Sequence, residues 1–293
     1  MKNIAVIIHW GPVGPTVKLA VELNKSTLVN QVTIVANDLS ERPNDIPDEI
    51  SWIVPARNLG FAGGFLHATD IYPAASCYLL LNNDIELAEV TIKECLELLS
   101  RDDVGVVGPT LVNARGLQSG AAVLTRFLAA PRVLRTPRLA QPCEAEWVTG
   151  AVMFIKAECH QSVPMDGRYF LGFEDADFCH RARDAGWRVM LSPAHAWHAS
   201  GGTIPAGRYV YYSVRNRLWF VRMRGWRLRT VLVVLWSALV LLPTIVMKDL
   251  LRRRGYLYSS LAFHGLIDGL WRLPTVNTPL PDEPRPARWA SWA

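Results

Sequence analysis

No C-x-x-C pair occurs in this chain, and its five cysteines (Cys77, Cys95, Cys143, Cys159 and Cys179) are odd in number and sit mostly inside apolar runs. This excludes the spacing of a disulfide scaffold or a zinc site and fits reduced cysteines in a cytosolic core. Charge is sparse as well: 19% of residues are charged against 50% hydrophobic, which excludes intrinsic disorder. There is no internal repeat and no low-complexity tract. The apolar run behind Met1 reaches only from Ile4 to Ile8, too short for a signal-peptide core and without a small-residue cleavage site, so the sequence does not read as secreted. What charge there is leans basic, at a formal +5. That implies an anionic contact, and nucleic acid, acidic lipid and nucleotide phosphate all satisfy it.

What is present is length and alternation. A chain of 293 residues can bury a full α/β core, and the expectation is one large domain, residues 1–225, with an appendage of apolar and amphipathic helices and an irregular tail, residues 226–293. Apolar runs alternate with helical patterns through the first hundred residues, the mark of βαβ units and a largely parallel sheet. Strands are expected at Ile4 to Ile8, Val32 to Ala36, Ser51 to Val54, Cys77 to Leu81 and Val104 to Val107. Helices are expected at Thr16 to Asn24, Ala62 to Asp70 and Glu89 to Leu99. From Asn113 to Pro142 the periodicity weakens, with Pro131, Pro137 and several arginines, so this reads as a long, functional excursion. Regular structure resumes at Trp147 to Ile155, a loop runs to Phe173, and a helix from Asp175 to Ala185 is stopped by Gly186. The tail from Pro274 is expected to be irregular.

From Thr230 to Met247 no residue is charged. At about 1.5 Å per helical residue the run just reaches the thickness of a bilayer core. Arg222, Arg224, Arg227 and Arg229 precede it, and Lys248, Arg252, Arg253 and Arg254 follow, so the positive-inside rule assigns no orientation. Pro243 interrupts it. The next segment, Tyr256 to Trp271, reads as amphipathic, with Phe263, Leu266, Ile267 and Leu270 on one face and His264, Asp268 and Arg272 on the other. Basic flanks and an amphipathic successor predict a pair of helices at the cytoplasmic face of the cell membrane, peripheral or monotopic, as well as they predict a span. Packing against the rest of the protein or another subunit is the alternative, and an oligomer stays open.

Two segments carry chemistry. Cys77 to Leu81 is an apolar strand running straight into Asn82-Asn83-Asp84, which puts Asp84 at the carboxyl end of a strand, where open α/β sheets bind ligands. A carboxylate there can hold a divalent cation, Mg²⁺ or Mn²⁺, against a diphosphate. A polar strand end is also an ordinary turn. The second is Phe170-Leu171-Gly172-Phe173-Glu174-Asp175-Ala176-Asp177. Acids at a helix start cap free N–H groups, and Asp177 can pair with Arg181, but an aromatic, glycine-rich approach also suits a carboxylate with an adjusted pKa for base catalysis.

Taken in order, Asn58-Leu59-Gly60-Phe61-Ala62-Gly63-Gly64, Leu81-Asn82-Asn83-Asp84, Gly150-Ala151 and Glu174-Asp175-x-Asp177-Phe178-Cys179-x-Arg181 resemble the family 2 glycosyltransferases, particularly their rhamnosyltransferase-like branch, over residues 3 to 220. The resemblance implies a GT-A, Rossmann-like mixed and mostly parallel sheet flanked by helices, followed by the membrane-associating helical segment. It implies inverting transfer from a nucleotide diphosphate donor, a dTDP- or UDP-sugar, to a hydroxyl of a lipid-linked or polysaccharide acceptor, with no nucleic-acid partner. Donor binding falls to His9, Asn37, Asp38, Asn58, Gly60, Gly63, Asn83, Asp84 and Arg215. Asp175 matches the catalytic base, with Glu174 beside it. Asn82 stands where the family's D-x-D motif has its first acid, leaving Asp84 as the motif's only carboxylate. Ala196-Trp197-His198-Ala199-Ser200-Gly201-Gly202 resembles the family segment whose histidine completes a metal shell, so His198 is expected to join Asp84 on the ion. Arg215, in Tyr211-Tyr212-Ser213-Val214-Arg215-Asn216-Arg217, is expected to face phosphate. The alternatives are a catalytically weak nucleotide-sugar-binding member and a nucleotidyltransferase. The latter would carry a basic, glycine-rich loop after the first strand, and His9-Trp10-Gly11-Pro12 has no Lys or Arg.

Overall fold

The computed structural model describes residues 2–114, 116–118, 120–133, 140–199, 206–253 and 256–272. The tail from Pro274, along with Ser200, Gly201, Gly202 and Arg254, lies outside the described residues. The chain opens with β1 (Asn3–His9), α1 (Val13–Asn24), β2 (Gln31–Ala36), β3 (Ser51–Ile53), α2 (Gly60–Ile71), β4 (Cys77–Asn82), β5 (Ile85–Leu87) and α3 (Glu89–Leu99). There follow β6 (Val104–Asn113), β7 (Gly116–Gln118), β8 (Ala121–Leu124), β9 (Pro131–Val133), β10 (Cys143–Glu144), β11 (Trp147–Val148) and β12 (Val152–Lys156). Then come α4 (Ala157–Ser162), α5 (Glu174–Asp184), β13 (Arg188–His198), α6 (Ala206–Met223), α7 (Arg227–Trp236), a π-turn (Ser237–Leu241), α8 (Leu242–Leu251) and α9 (Leu257–Trp271).

Two compact units result. The first gathers the described residues of 2–123, 132–167 and 174–199, and the second those of 124–131, 168–173 and 206–272. Helix α6 thus falls in the second unit, ahead of the boundary expected near residue 225.

In the first unit the sheet runs β10-β13-β6-β12-β4-β1-β2-β3. Strands β3, β2, β1 and β4 are mutually parallel, β12 opposes both β4 and β6, and β13 runs parallel with β6. The fold is therefore mixed and mostly parallel, as the alternation predicts. Every residue of β1 is buried, and β4 is buried up to Asn82, because helices cover both faces and leave no solvent side for a polar alternation. Helix α1 shows the matching stripe, burying Thr16, Leu19, Ala20 and Leu23 at one-turn spacing. It begins before Thr16 because Pro15 falls in its first turn, where a missing N–H breaks no helical bond. The excursion from Asn113 to Pro142 is partly regular: it holds β7, β8 and β9, with β7 paired to β6 and β8 to β11. The expected loop before Phe173 contains α4 and a 3₁₀ turn at Gly167–Tyr169. All five cysteines are unpaired, and four are buried. Burial pushes the Cys95 and Cys159 thiols up to about 12.

In the second unit α9 lies along α6 through its smallest residues. A side chain at Gly265 would meet the Tyr211 carbonyl at 2.5 Å, and one at Gly269 would meet Leu218 at 2.8 Å. The buried face of α9 is thus Ser259, Leu261, Ala262, Gly265, Leu266 and Gly269. Of the apolar face expected for this segment, Leu266 is buried, Ile267 and Leu270 are half-buried, and Phe263 is 47% exposed. Close helix approach at the glycines sets this face, and Phe263 and Trp271 turn outward. Tyr211 Oη donates to Asp268 Oδ2 at 2.6 Å, and Asp249, buried in α8, accepts from Ser259 N and Oγ at 2.8 and 3.0 Å. The π-turn lies one turn ahead of Pro243, whose ring cannot fit over the carbonyl four residues back in a regular helix.

Candidate active site

The sheet changes direction of growth at β1: β2 and β3 add on one side, β4 on the other. Ligands of open α/β sheets bind at such a switch, beyond the carboxyl ends of the strands. His9 ends β1, Asn37 and Asp38 follow β2, and Asn83 and Asp84 follow β4.

The expected donor-binding side chains divide sharply by exposure. His9 is wholly buried, with Nδ1 2.7 Å from Thr16 Oγ1 and Nε2 3.2 Å from Asp38 Oδ2. Burial lowers its pKa against the opposing pull of Asp38, so the ring is neutral at pH 7. The Thr16 hydroxyl also accepts from Asn83 Nδ2 at 3.1 Å, so it links His9 to Asn83. Asn83 Nδ2 also donates to the Trp10 carbonyl at 3.2 Å. Asn37, likewise buried, donates to the Gly60 carbonyl at 2.7 Å and accepts from Leu59 N at 3.3 Å. The described hydrogen bonds give His9, Asn37 and Asn83 a supporting part in this strand-end network: His9 and Asn83 meet at Thr16, and Asn37 holds the Leu59–Gly60 turn. Thr16, the hydroxyl joining two of them, carried no signal in the sequence.

Asp38 and Asn58 remain partly exposed. Burial alone would raise the Asp38 carboxyl, but hydrogen bonds from Ser40 Oγ and N, with His9 and Gly11 N, hold it below the usual carboxylate value. Asn58 Oδ1 accepts from Gly60 N at 2.8 Å, closing an Asx turn in which Gly60 takes φ +72°, a left-handed conformation suited to glycine. Gly63 packs closely, since a Cβ there would stand 3.1 Å from that of Leu59.

At the next strand end, His198 Nε2 stands 3.4 Å from Asp84 Oδ1, and Asp84 O accepts from Ala199 N at 3.2 Å. β13 delivers the histidine by pairing His198 with Ile85 of β5, the residue after Asp84. Among the described residues no group of three or more His, Cys, Asp and Glu gathers around one point. One carboxylate and one imidazole suit a borderline cation such as Mn²⁺, with phosphate and water oxygens completing its shell.

Asp175 lies in the first turn of α5 behind the buried Glu174. Its Oδ2 accepts from Gly150 N at 2.9 Å and its Oδ1 from Ala176 N at 2.8 Å. Gly150 must be small, since a Cβ there would sit 3.0 Å from the Phe61 ring and 3.5 Å from Asp175 Cβ. Burial raises the Asp175 pKa, and the two backbone N–H groups offset only part of that. Ala151, next to Gly150, accepts from Asn82 N at 2.9 Å, so a continuous set of bonds ties Asp175 to the strand end that carries Asp84. The expected pair of Asp177 with Arg181 forms at 2.6 Å.

No protein-family model and no curated protein sequence matches the chain. Solved structures do. GalNAc-T7, crystallised with UDP, GalNAc and Mn²⁺, superposes with TM-score 0.59 at 12% identity over 75% of this chain and 47% of that one. The Pyrobaculum calidifontis mannosyltransferase PcManGT, in complex with GDP-Man and Mn²⁺, gives 0.53 at 12% identity over 93% and 88%. S. aureus TarS gives 0.55 at 10% identity over 94% and 81%. The fold is GT-A. This chain spans about half the length of GalNAc-T7.

Arg215 belongs to the second unit, where it corrects another expectation. It is 2% exposed, lies 4.0 Å over the Trp219 ring, and donates to the Tyr169 carbonyl at 2.7 Å and to Asn216 Oδ1 at 2.8 Å. Its fork faces the protein's own carbonyls and rings, with no open side for phosphate. Asn216, unremarked in the sequence, binds the same loop: Nδ2 faces the carbonyls of Tyr169, Leu171 and Gly172 at 3.0, 2.8 and 2.6 Å. Phe170, Gly172 and Phe173 all take positive φ, at 64°, 80° and 73°.

Proposed function

We propose that the chain transfers a sugar with inversion from a nucleotide diphosphate donor, a dTDP- or UDP-sugar, to a hydroxyl of a lipid-linked or polysaccharide acceptor. What carries this reading is Asp175: a carboxylate with a raised pKa, tied through Gly150 and Ala151 to the end of β4 that leads into Asp84, which His198 of β13 approaches. The acceptor oxygen attacks the anomeric carbon as Asp175 takes its proton; the bond from that carbon to the diphosphate oxygen breaks on the opposite face, and the nucleoside diphosphate leaves with the electron pair. General-base assistance of this kind contributes roughly 10²–10⁴-fold. Asp84 and His198 would hold a Mg²⁺ or Mn²⁺ ion, which supplies neutralising charge to the diphosphate. Asp38 and Asn58, which follow β2 and β3, would take the nucleoside. The Mn²⁺ in two of the structures sharing this fold supports a metal-dependent reading.

The test is a panel of nucleotide sugars with Mn²⁺, scored for release of nucleoside diphosphate and for the anomeric configuration of the product. Diphosphate release from at least one donor with inverted product is expected. Retention of configuration, or reaction only with triphosphates and release of pyrophosphate, overturns it.

A further inference from the structure

Helix α7, the π-turn and α8 form one continuous helix, Arg227–Leu251, whose most apolar 18-residue stretch has mean hydropathy 2.4 and is only 11% buried. Its buried positions, Val233, Ser237 and Asp249, make one narrow stripe. Leu228, Val231, Leu235, Leu239, Met247 and Leu251 are each at least half exposed. An apolar surface of that extent in water marks an interaction site.

The charges say what covers it. Arg222, Arg224, Arg227 and Arg229 stand before the uncharged run and Lys248, Arg252 and Arg253 after it, while the one acid among them, Asp249, is buried and bonded to Ser259. Arg229 and Arg224 lie over Trp226 at 4.0 and 5.2 Å, an amphipathic cluster of the kind found at headgroup level. A protein partner matching both ends would need two acidic patches separated by an apolar groove; an anionic lipid leaflet offers both features everywhere on its surface.

The packing also decides the pose. α9 lies along α6, Arg222 of α6 donates to the Gly269 carbonyl at 2.6 Å, and Asp249 binds α9 at its start. A crossing α7–α8 would draw this polar pair into hydrocarbon, Asp268 and Arg215 included, and α9 at 15 residues is too short to cross. We propose that α7–α8 lies flat in one leaflet of an anionic membrane, its apolar arc among the acyl chains and both basic clusters in the same headgroup layer. The outward Phe263 and Trp271 of α9 extend that surface.

Full-length protein should float with vesicles containing one-third phosphatidylglycerol and much less with phosphatidylcholine alone. Replacing Lys248, Arg252 and Arg253 together by glutamine should weaken partitioning roughly 10²-fold, with binding falling as salt rises. Leu239→Glu should abolish binding to both vesicles while the melting temperature stays near wild type, since Leu239 is 70% exposed. Thiols introduced in the two basic flanks, as Arg227→Cys and Arg252→Cys, both exposed, should both react with an impermeant reagent added outside the vesicles. Labelling of one position only, with resistance to alkaline extraction, would overturn the flat pose in favour of a span. Indifference to anionic vesicles, with self-association that Leu239→Glu dissolves, would replace the lipid by a second copy of the chain. Neither result touches the transferase reading, which rests on residues of the first unit.

Discussion

Replacing Asn216 by alanine probes how the strained loop before α5 is held. The side chain is wholly buried; its two hydrogens serve three carbonyls, and its oxygen takes Nε of the buried Arg215. Removing it leaves Tyr169 O with the bond from Arg215 Nη2, so that carbonyl keeps a partner. The carbonyls of Leu171 and Gly172 lose theirs in a partly buried setting, at about 1 kcal/mol each, and the orphaned charged donor of Arg215 adds roughly 1.5 kcal/mol. Phe170 and Phe173 take a left-handed conformation that costs about 1–2 kcal/mol per residue, so the loop has reason to relax once its tether is gone. The expected loss is about 3–4 kcal/mol. At roughly 2–4 °C per kcal/mol for a large domain, the melting temperature should fall by about 6–16 °C, measured by far-ultraviolet circular dichroism. A fall of under about 2 °C would show that the tether does not hold the loop and that the positive φ angles are stable without it.

Asp175→Asn should lower kcat by at least about 10²-fold with nucleotide affinity within a few-fold, and the acid limb of the wild-type kcat/KM profile should lie above the ordinary carboxylate value. Because the folded pKa is raised, the ionised group opposes folding: its contribution is fully favourable below the unfolded pKa and is lost as pH rises through the folded one. The variant should therefore melt no lower than wild type at pH 7, and a clear drop there would contradict the raised pKa. Asp84→Ala and His198→Ala should each weaken Mn²⁺-dependent binding of nucleoside diphosphate, and the double variant should lose little more than either single one; strict additivity, or full wild-type activity in excess chelator, would separate the two residues. Leu39 is 46% exposed with φ 62°, so Leu39→Asn should raise stability by about 0.5–1 kcal/mol, read as a higher urea midpoint with unchanged slope.

Features set by local pattern were legible in the sequence. A parallel strand buried on both faces must be a continuous apolar run, so β1, β2 and β4 stand out, and the abrupt polarity at Asn82 marks where β4 leaves the core. Asp175 and the pairing of Asp84 with His198 could be anticipated only as motifs, since β5 and β13 bring the histidine across 114 positions of chain. What escaped was long-range and polar. Nothing local reveals that Thr16 links His9 to Asn83, and Arg215 looks like a phosphate clamp because Tyr169 is 46 residues away. The part of α9 that packs on α6 escaped for a different reason: periodicity weighs side-chain size, while α6 selects for its absence at Gly265 and Gly269.

The distribution of thiols makes the molecule unusually easy to probe. Cys77, Cys95, Cys159 and Cys179 are buried and their thiols are pushed far above neutral, so almost none of each exists as the reactive thiolate. Cys143, at the sheet's edge strand β10, is the one cysteine that is not buried, and its thiol is raised too. With Cys143 changed to serine, a single cysteine placed anywhere on the outer surface becomes the fastest-reacting thiol in the chain. A spectroscopic probe can then be carried residue by residue along α7–α8, and the period of its signal, near 3.6 for a helix half immersed and absent for one surrounded by a uniform medium, reports the depth of each turn without any other change to the protein.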